Sequence, residues 1–203
     1  MIAKLIYNLK AIHRHLFSKC NNLYVKGYIR AMGGYYGVRF RTLGQCIVYL
    51  GKYNKVKIGN NVLINSGPYF AADAGNYSKL YVADGAEFSI GDSSGFSNTI
   101  IACYNKITIG NHVYIGAGCY IFDTNYHSTD YRVRMDGRSD ADVKTAPIVI
   151  QDNVFIGARS VVCKGVTIGA RSIVAAGSVV IKDIPADCIA GGNPCKIIKR
   201  TNE

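Results

Sequence analysis

Tryptophan is absent from the 203 residues, proline and histidine occur only 4 times each, and no acidic residue stands before Asp73. Few prolines beside 22 glycines without a Gly-X-Y period exclude collagen-like and low-complexity chains. The 7 cysteines form no CxxC pair and lie far from the scarce histidines, so a zinc or redox motif is not supported. They read instead as reduced, mostly buried small hydrophobes. Long apolar runs are missing too. The longest stretch free of Asp, Glu, Lys and Arg is the 16 residues Ile107–Phe122, and it contains Asn111, His112 and several glycines. That is too short and too polar to span a bilayer as a helix. Lys4, Lys10 and Arg14 interrupt the first apolar residues, leaving no signal-peptide core, so a cytoplasmic protein is expected. With 49% hydrophobic and 18% charged residues, the length suits one folded domain.

The missing acids also locate the charge. All 11 Lys and Arg before Asp73 are unopposed, whereas the remainder carries 13 residues of each sign, so the net +11 belongs to the first third. Such a region suits a polyanion: an acidic lipid surface, an acidic glycan or nucleic acid. A solvated basic face without a partner remains the alternative. No nucleic-acid-binding motif accompanies it, and no nucleic-acid partner is expected.

What is present is a repeat of six. Ile150, Ile156, Val162, Ile168, Val174 and Val180 stand at one phase, with Val154, Ser160, Val166, Ser172, Ser178 and Ile184 each four residues after. Each unit therefore holds an in-out-in triplet such as Val154-Phe155-Ile156, which predicts a short strand with one buried face. Gly157-Ala158-Arg159, Cys163-Lys164-Gly165 and Ala175-Ala176-Gly177 supply the turns between triplets. The phase recurs at Ile109, Ile115 and Ile121, at Ile58 and Ile64, and more weakly at Ile90 and Phe96. One hexad cannot bury its apolar row alone, but stacked hexads form a continuous core.

This pattern resembles the hexapeptide-repeat family. The resemblance implies an all-β fold, a left-handed parallel β-helix with three short strands per coil. The handedness comes from the resemblance, since the usual crossover rule would give the other hand. Residues 41–185 are expected to form the solenoid, broken by a loop at about 123–147. A short C-terminal tail is expected over 186–203 and a basic helical cap over 1–40. Within the cap, Ile2, Leu5, Ile6, Leu9, Ile12 and Leu16 have helical spacing, and a second helix is expected over about Leu23–Met32, ending at Gly33-Gly34. Such a cap would cover the open edge of the solenoid, and a basic amphipathic helix also suits a membrane surface. The sequence leaves both open.

His127 stands where the repeat breaks into Phe122-Asp123-Thr124-Asn125-Tyr126-His127-Ser128-Thr129-Asp130. His13 and His15 belong to the helix and His112 to a regular corner, leaving His127 as the histidine of a long loop on a rigid scaffold. An imidazole there can take a proton from a hydroxyl. The segment, followed by Pro147-Ile148-Val149-Ile150, looks like the active-site stretch of hexapeptide O-acetyltransferases, nearest to the galactoside/maltose and capsular-polysaccharide branch. That resemblance implies His127 as general base, with Asp130 or Asp123 as orienting candidates. Ala176–Pro185 and Gly192–Lys199 resemble the coenzyme-A-binding end. They imply Ala158 and Ala176 against the pantetheine arm, Lys182, Lys196 and Lys199 toward phosphates, and Pro194 against the adenine. Relatives often carry serine at the place of Ala158 and arginine at that of Lys199. The Ala158 N–H is the implied oxyanion donor.

The expected reaction is direct transfer from acetyl-CoA as cosubstrate, without a metal, to a hydroxyl of a sugar or a capsule, O-antigen or exopolysaccharide precursor. A homotrimer is implied, in the cytoplasm or at the inner face of the membrane through the basic end. The acceptor residues are unknown. Tyr69, Tyr104 and Tyr126 are candidates to stack on a sugar, and Arg132, Arg134 and Arg138 either meet an anionic acceptor or pair with Asp136, Asp140 and Asp142. Alternatives are an antibiotic or other xenobiotic acetyltransferase and a non-catalytic β-helix scaffold.

Overall fold

The computed structural model describes residues 2–67, 77–135 and 142–201, with residues 2–10 and 13 described by backbone alone. Tyr69, Asp136, Arg138 and Asp140 therefore lie outside the described residues. α1 (Ile2–Ala31) comes first. The chain then winds in coils of three strands. β1 (Tyr35–Tyr36), β2 (Arg41–Leu43) and β3 (Ile47–Leu50) make the first coil, and β4 (Lys55–Ile58), β5 (Leu63–Asn65) and β6 (Lys79–Val82) the second. The third is β7 (Glu87–Ile90), β8 (Gly95–Ser97) and β9 (Ile100–Cys103); the fourth is β10 (Lys106–Ile109), β11 (Tyr114–Ile115) and β12 (Tyr120–Phe122). An excursion carrying α2 (Tyr131–Met135) follows. β13 (Ile148–Ile150), β14 (Phe155–Ile156) and β15 (Val161–Val162) resume the winding, then β16 (Thr167–Ile168), β17 (Ile173–Val174) and β18 (Val179–Val180). β19 (Cys188–Gly191) and β20 (Lys196–Arg200) end it.

First strands stack on first strands, second on second and third on third, giving three sheets around one core: sheet A from β1 to β16, sheet B from β2 to β20 and sheet C from β3 to β18. Every pairing is parallel except β19 with β20. The fold is the left-handed parallel β-helix with a helical N-terminus. The six-residue phase explains the register. Ile58, Ile90, Ile109, Ile150 and Ile168 lie directly above one another in sheet A and are each at most 3% exposed. Burying one such side chain contributes about 1.5–3 kcal/mol. Ser160, Ser172 and Ser178 occupy inward positions at no exposure, and their hydroxyls donate to the carbonyls of Gly157, Pro185 and Ala175 respectively. A polar side chain in the core is tolerated there because a corner carbonyl receives it.

Two expectations are corrected. The helix does not divide near residue 22: α1 runs 30 residues unbroken to Gly33, whose φ of 80° ends it. The polar residues in its middle pair with the solenoid edge instead of breaking the helix. Ser18 Oγ accepts the Gly44 N–H, Asn22 Oδ1 the Thr42 N–H and Asn21 Oδ1 the Cys46 N–H, each at 2.9 Å. Second, winding begins at Tyr35 rather than 41, where short strands with polar residues such as the buried Thr42 hide the period. Val25 and Ile29 are fully buried where α1 covers the first coil. On the opposite side of the same helix Ile12, Leu16, Leu23 and Tyr24 are more than half exposed. No helix among the described residues is long and apolar enough to cross a membrane. Burial pushes the thiols of Cys46 and Cys103 up to about 12 and that of Cys119 up to about 11, leaving them unreactive.

Candidate active site

The solenoid has three corner columns, and the residues singled out from the sequence fall on two of them. The corner from sheet C to sheet A is interrupted after β12 by the excursion. Its root is Asp123, fully buried, whose carboxylate accepts the N–H groups of Tyr104 (2.7 Å), Asn105 (2.8 Å) and Lys106 (2.7 Å). Asp123 O also accepts the Ala146 N–H at 3.0 Å, and Thr124 pairs antiparallel with Thr145, so the outgoing and returning strands close on each other.

His127 lies just beyond, exposed, between Tyr126 and the buried Ser128. Neither carboxylate expected to orient its ring does so. Asp123 is spent on three backbone donors. Asp130 accepts the Arg132 N–H at 2.9 Å at the start of α2 and holds the guanidinium through Nε (3.0 Å) and Nη2 (2.8 Å). Arg132 beside it holds the Asp130 carboxyl below the usual carboxylate range. Arg134 donates to Ser128 O at 2.6 Å. Two of the loop arginines are thus self-paired, and among the described residues none hydrogen-bonds the His127 imidazole.

From the fourth coil on, the corner from sheet B to sheet C is regular and lined by small residues. Gly116 lies beneath Ala158 and Gly157 beneath Ala176. A Cβ added to either glycine would fall 2.5 Å and 2.4 Å from the N of the alanine above, so the coils pack backbone on backbone. The N–H groups of Ala158 and Ala176 donate to no acceptor among the described residues, while the carbonyl of Ala158 accepts the Gly177 N–H. Stacked unpaired donors on a surface corner are open to a ligand. The turn carrying Pro194 continues the column: Val179 N–H donates to Gly192 O and Cys195 N–H to Val179 O.

Ala158, Ala176 and Pro194 are therefore brought to one line. Lys196, opposite Gly191, lies beside it, and Lys199 is opposite Ile189 further into sheet B. Lys182 follows β18 and so falls on the other edge of sheet C. The same separation holds for the main pair. β12 and β15 are parallel neighbours, Ala158 precedes β15 and His127 follows β12, so within one chain they root at opposite edges of sheet C. His112 sits on the third corner between Asp92 and Asp152, exposed, at a φ of 53°.

Tyr104 and Tyr126, candidates from the sequence to stack on a sugar, stand together beside His127, whereas the file and the pocket they belong to were missed. Tyr49, Tyr81, Tyr104 and Tyr126 form one file of rings on the outer face of sheet C, and Tyr104, Tyr126, Thr124, Val143 and Thr145 line a pocket of about 330 Å³. The signal was the matching place of Tyr49 and Tyr81 in their coils, disguised by the extra residues between β5 and β6. A larger cavity, about 500 Å³, opens on sheet B against Arg41, Tyr114, Gly116 and Phe155. Among the described residues no group of three or more His, Cys, Asp or Glu is placed to hold a metal.

Comparison with known proteins shows what the chain is similar to. Residues 147–182 match the bacterial transferase hexapeptide (six repeats) model. A galactoside O-acetyltransferase of Escherichia coli is 36% identical over 126 residues, 61% of this chain and 59% of that protein. The chain spans about three-fifths of the curated relatives it matches. A hexapeptide-repeat acetyltransferase of Vibrio cholerae, solved with acetyl coenzyme A, is 31% identical with a TM-score of 0.56 over 85% of this chain and 73% of that one. A maltose O-acetyltransferase of Clostridium difficile is 26% identical with a TM-score of 0.53, covering 86% and 73%.

Proposed function

This chain belongs to the hexapeptide-repeat transferase family, and from that premise we propose that it is an acetyl-CoA-dependent O-acetyltransferase acting on a hydroxyl of a sugar or cell-surface polysaccharide precursor. The observation that carries the reading is the B–C corner. Its small residues and the unpaired N–H groups of Ala158 and Ala176 suit a linear pantetheine arm, whose amides need backbone partners. The acetyl-CoA-bound Vibrio cholerae relative supports the choice of cosubstrate.

In this reading His127 takes the proton of the acceptor hydroxyl as the oxygen attacks the thioester carbonyl. The Ala158 N–H holds the negative oxygen of the tetrahedral intermediate. Collapse breaks the carbon–sulfur bond, and the departing thiolate receives the proton from the His127 imidazolium. Among the described residues no serine or cysteine hydrogen-bonds the His127 ring, Ser128 Oγ accepting the Asp130 N–H instead, so in this reading the acetyl group passes directly. Because His127 and Ala158 root at opposite edges of sheet C, one chain supplies half of each site. A cyclic homotrimer completes it by setting the His127 corner of one protomer against the Ala158 corner of the next.

The second apolar side of α1, in a region of 11 basic and no acidic residues, adds peripheral docking on an anionic membrane surface, where a lipid-linked acceptor resides. Cosedimentation with vesicles containing phosphatidylglycerol, lost at high salt and absent with neutral lipid, checks that part.

The decisive experiment is thiol release from acetyl-CoA across sugars, nucleotide-sugars and chloramphenicol-like acceptors. Sugar-dependent release, cut by about 10²–10⁴-fold in His127→Ala, is expected. Full activity in the variant removes His127 as base, and release only with drug-like acceptors replaces the sugar by a xenobiotic. A protein that fails to bind coenzyme A at all is a scaffold.

A further inference from the structure

The file of tyrosines on sheet C ends beside His127, and its geometry changes there. Tyr49 and Tyr81 stack at 5.0 Å with their planes 4° apart, and Tyr81 and Tyr104 at 5.1 Å and 30°. Tyr126 turns against this file, 81° from Tyr104 at 5.6 Å, with Phe122 behind it at 5.8 Å. The two rings at right angles form two walls of the pocket of about 330 Å³, and Thr124, Val143 and Thr145 also line it. Tyr104 is held by the rings below it. Thr124 and Thr145 are held by their bridge to each other, Asn105 Nδ2 donates to Thr145 Oγ1 at 3.1 Å, and the Tyr104 N–H is fixed on the Asp123 carboxylate. The walls are thus preorganised, which lowers the entropy lost on binding. The volume is at the small end of ligand pockets, suited to one ring rather than an extended molecule.

We propose that this pocket is the subsite for a neutral pyranose ring of the acceptor, with Tyr104 and Tyr126 as its specificity-determining residues. The inference deepens the sugar O-acetyltransferase reading and rests on it. A pyranose has apolar C–H faces edged by hydroxyls, matching aromatic walls at two orientations with threonine hydroxyls between them. Among the described residues no charged side chain lines the pocket, so none of them offers a counter-ion to a phosphorylated or uronic sugar. Burial and the nearby Asp123 keep the Tyr126 phenol above its ordinary value, hence protonated and able to donate to a sugar oxygen at neutral pH. Tyr126 directly precedes His127, so a ring seated against it presents its hydroxyls one residue from the base.

Saturation-transfer NMR with methyl galactoside, methyl glucoside and methyl glucuronide as probes tests the subsite without requiring turnover. The neutral glycosides are expected to receive saturation from tyrosine protons, and the glucuronide much less. Tyr126→Ala and Tyr104→Ala should weaken glycoside binding about tenfold, whereas Tyr126→Phe, which keeps the ring, should stay within about threefold. Coenzyme A affinity should be unchanged in all three, which shows that the variants are folded. No saturation transfer to the neutral glycosides, or equal binding by wild type and both alanine variants, overturns the proposal. A glycoside that binds through these tyrosines but is never acetylated leaves the subsite standing and overturns the acetyltransferase reading instead.

Discussion

The B–C and C–A corners are made by the same winding chain, yet they expose opposite things. At the B–C corner the fourth to sixth coils turn through Gly116-Ala117-Gly118, Gly157-Ala158 and Ala175-Ala176-Gly177, the stacked backbones touch, and main-chain N–H groups face solvent. At the C–A corner the winding stops after β12, the chain leaves and returns, and what faces solvent is side chain: Tyr104, Tyr126 and His127. A regular corner can offer peptide donors at fixed spacing only if its side chains are small. A loop can offer an imidazole and aromatic walls only if something anchors it. Here that anchor is one buried carboxylate.

The sharpest test of the contrast is Asp123→Ala. It leaves three backbone N–H groups near Tyr104–Lys106 without their acceptor, each costing about 1–3 kcal/mol. A loss of roughly 3 kcal/mol or more in urea unfolding is expected, with faster hydrogen exchange at those amides. A variant with the wild-type midpoint would mean that the two corners do not differ in how they are anchored.

A medium effect is expected from Ala176→Leu, which places a branched side chain on the exposed B–C corner. The KM for acetyl-CoA should rise by about tenfold, close to 1.4 kcal/mol of binding, while the unfolding midpoint stays in place. Unchanged KM would remove the small-residue corner from coenzyme binding.

The A–B corner, which has neither loop nor bare line of alanines, serves as the control and gives the smallest effect. There the backbone and side-chain N–H groups of Asn60 hold the Asp92 carboxyl below its ordinary value, and those of Asn111 do the same for Asp152. A carboxyl with a lowered folded pKa contributes stability above its unfolded value, and that contribution fades as pH falls through the folded one. Asp92→Asn and Asp152→Asn should therefore flatten the loss of stability below about pH 4 and lower the pH 7 midpoint slightly, toward its acid value. Asn60 and Asn111 already serve as neutral acceptors in the same ladder.

The parts legible in sequence were those with local causes. Ile150, Ile156 and Val162 announce three faces because alternation within a triplet and a turn after it are properties of six adjacent residues. His127 was legible by elimination, since every other histidine had a regular place. The first coil was not legible, because β1 and β2 are too short and too polar to show a phase. The continuity of α1 was not legible, because Ser18, Asn21 and Asn22 in its middle find their partners, Gly44, Cys46 and Thr42, only at the edge of the solenoid. Asp123 and Asp130 had the right chemistry to orient a histidine, and nothing in their neighbourhood in the chain told that backbone donors and Arg132 had taken them.

By itself, then, the sequence determined the coil, its inward residues and the place where the coil breaks, because a period of six repeats its burial pattern whatever lies far away. The tertiary structure alone decided which residues share a corner. It aligned Ala158, Ala176 and Pro194, filed Tyr49 and Tyr81 toward Tyr126, and set His127 and Ala158 at opposite edges of sheet C. Corner membership depends on how many residues each earlier coil consumes, and insertions such as those after β5 and β12 shift that count for every residue that follows.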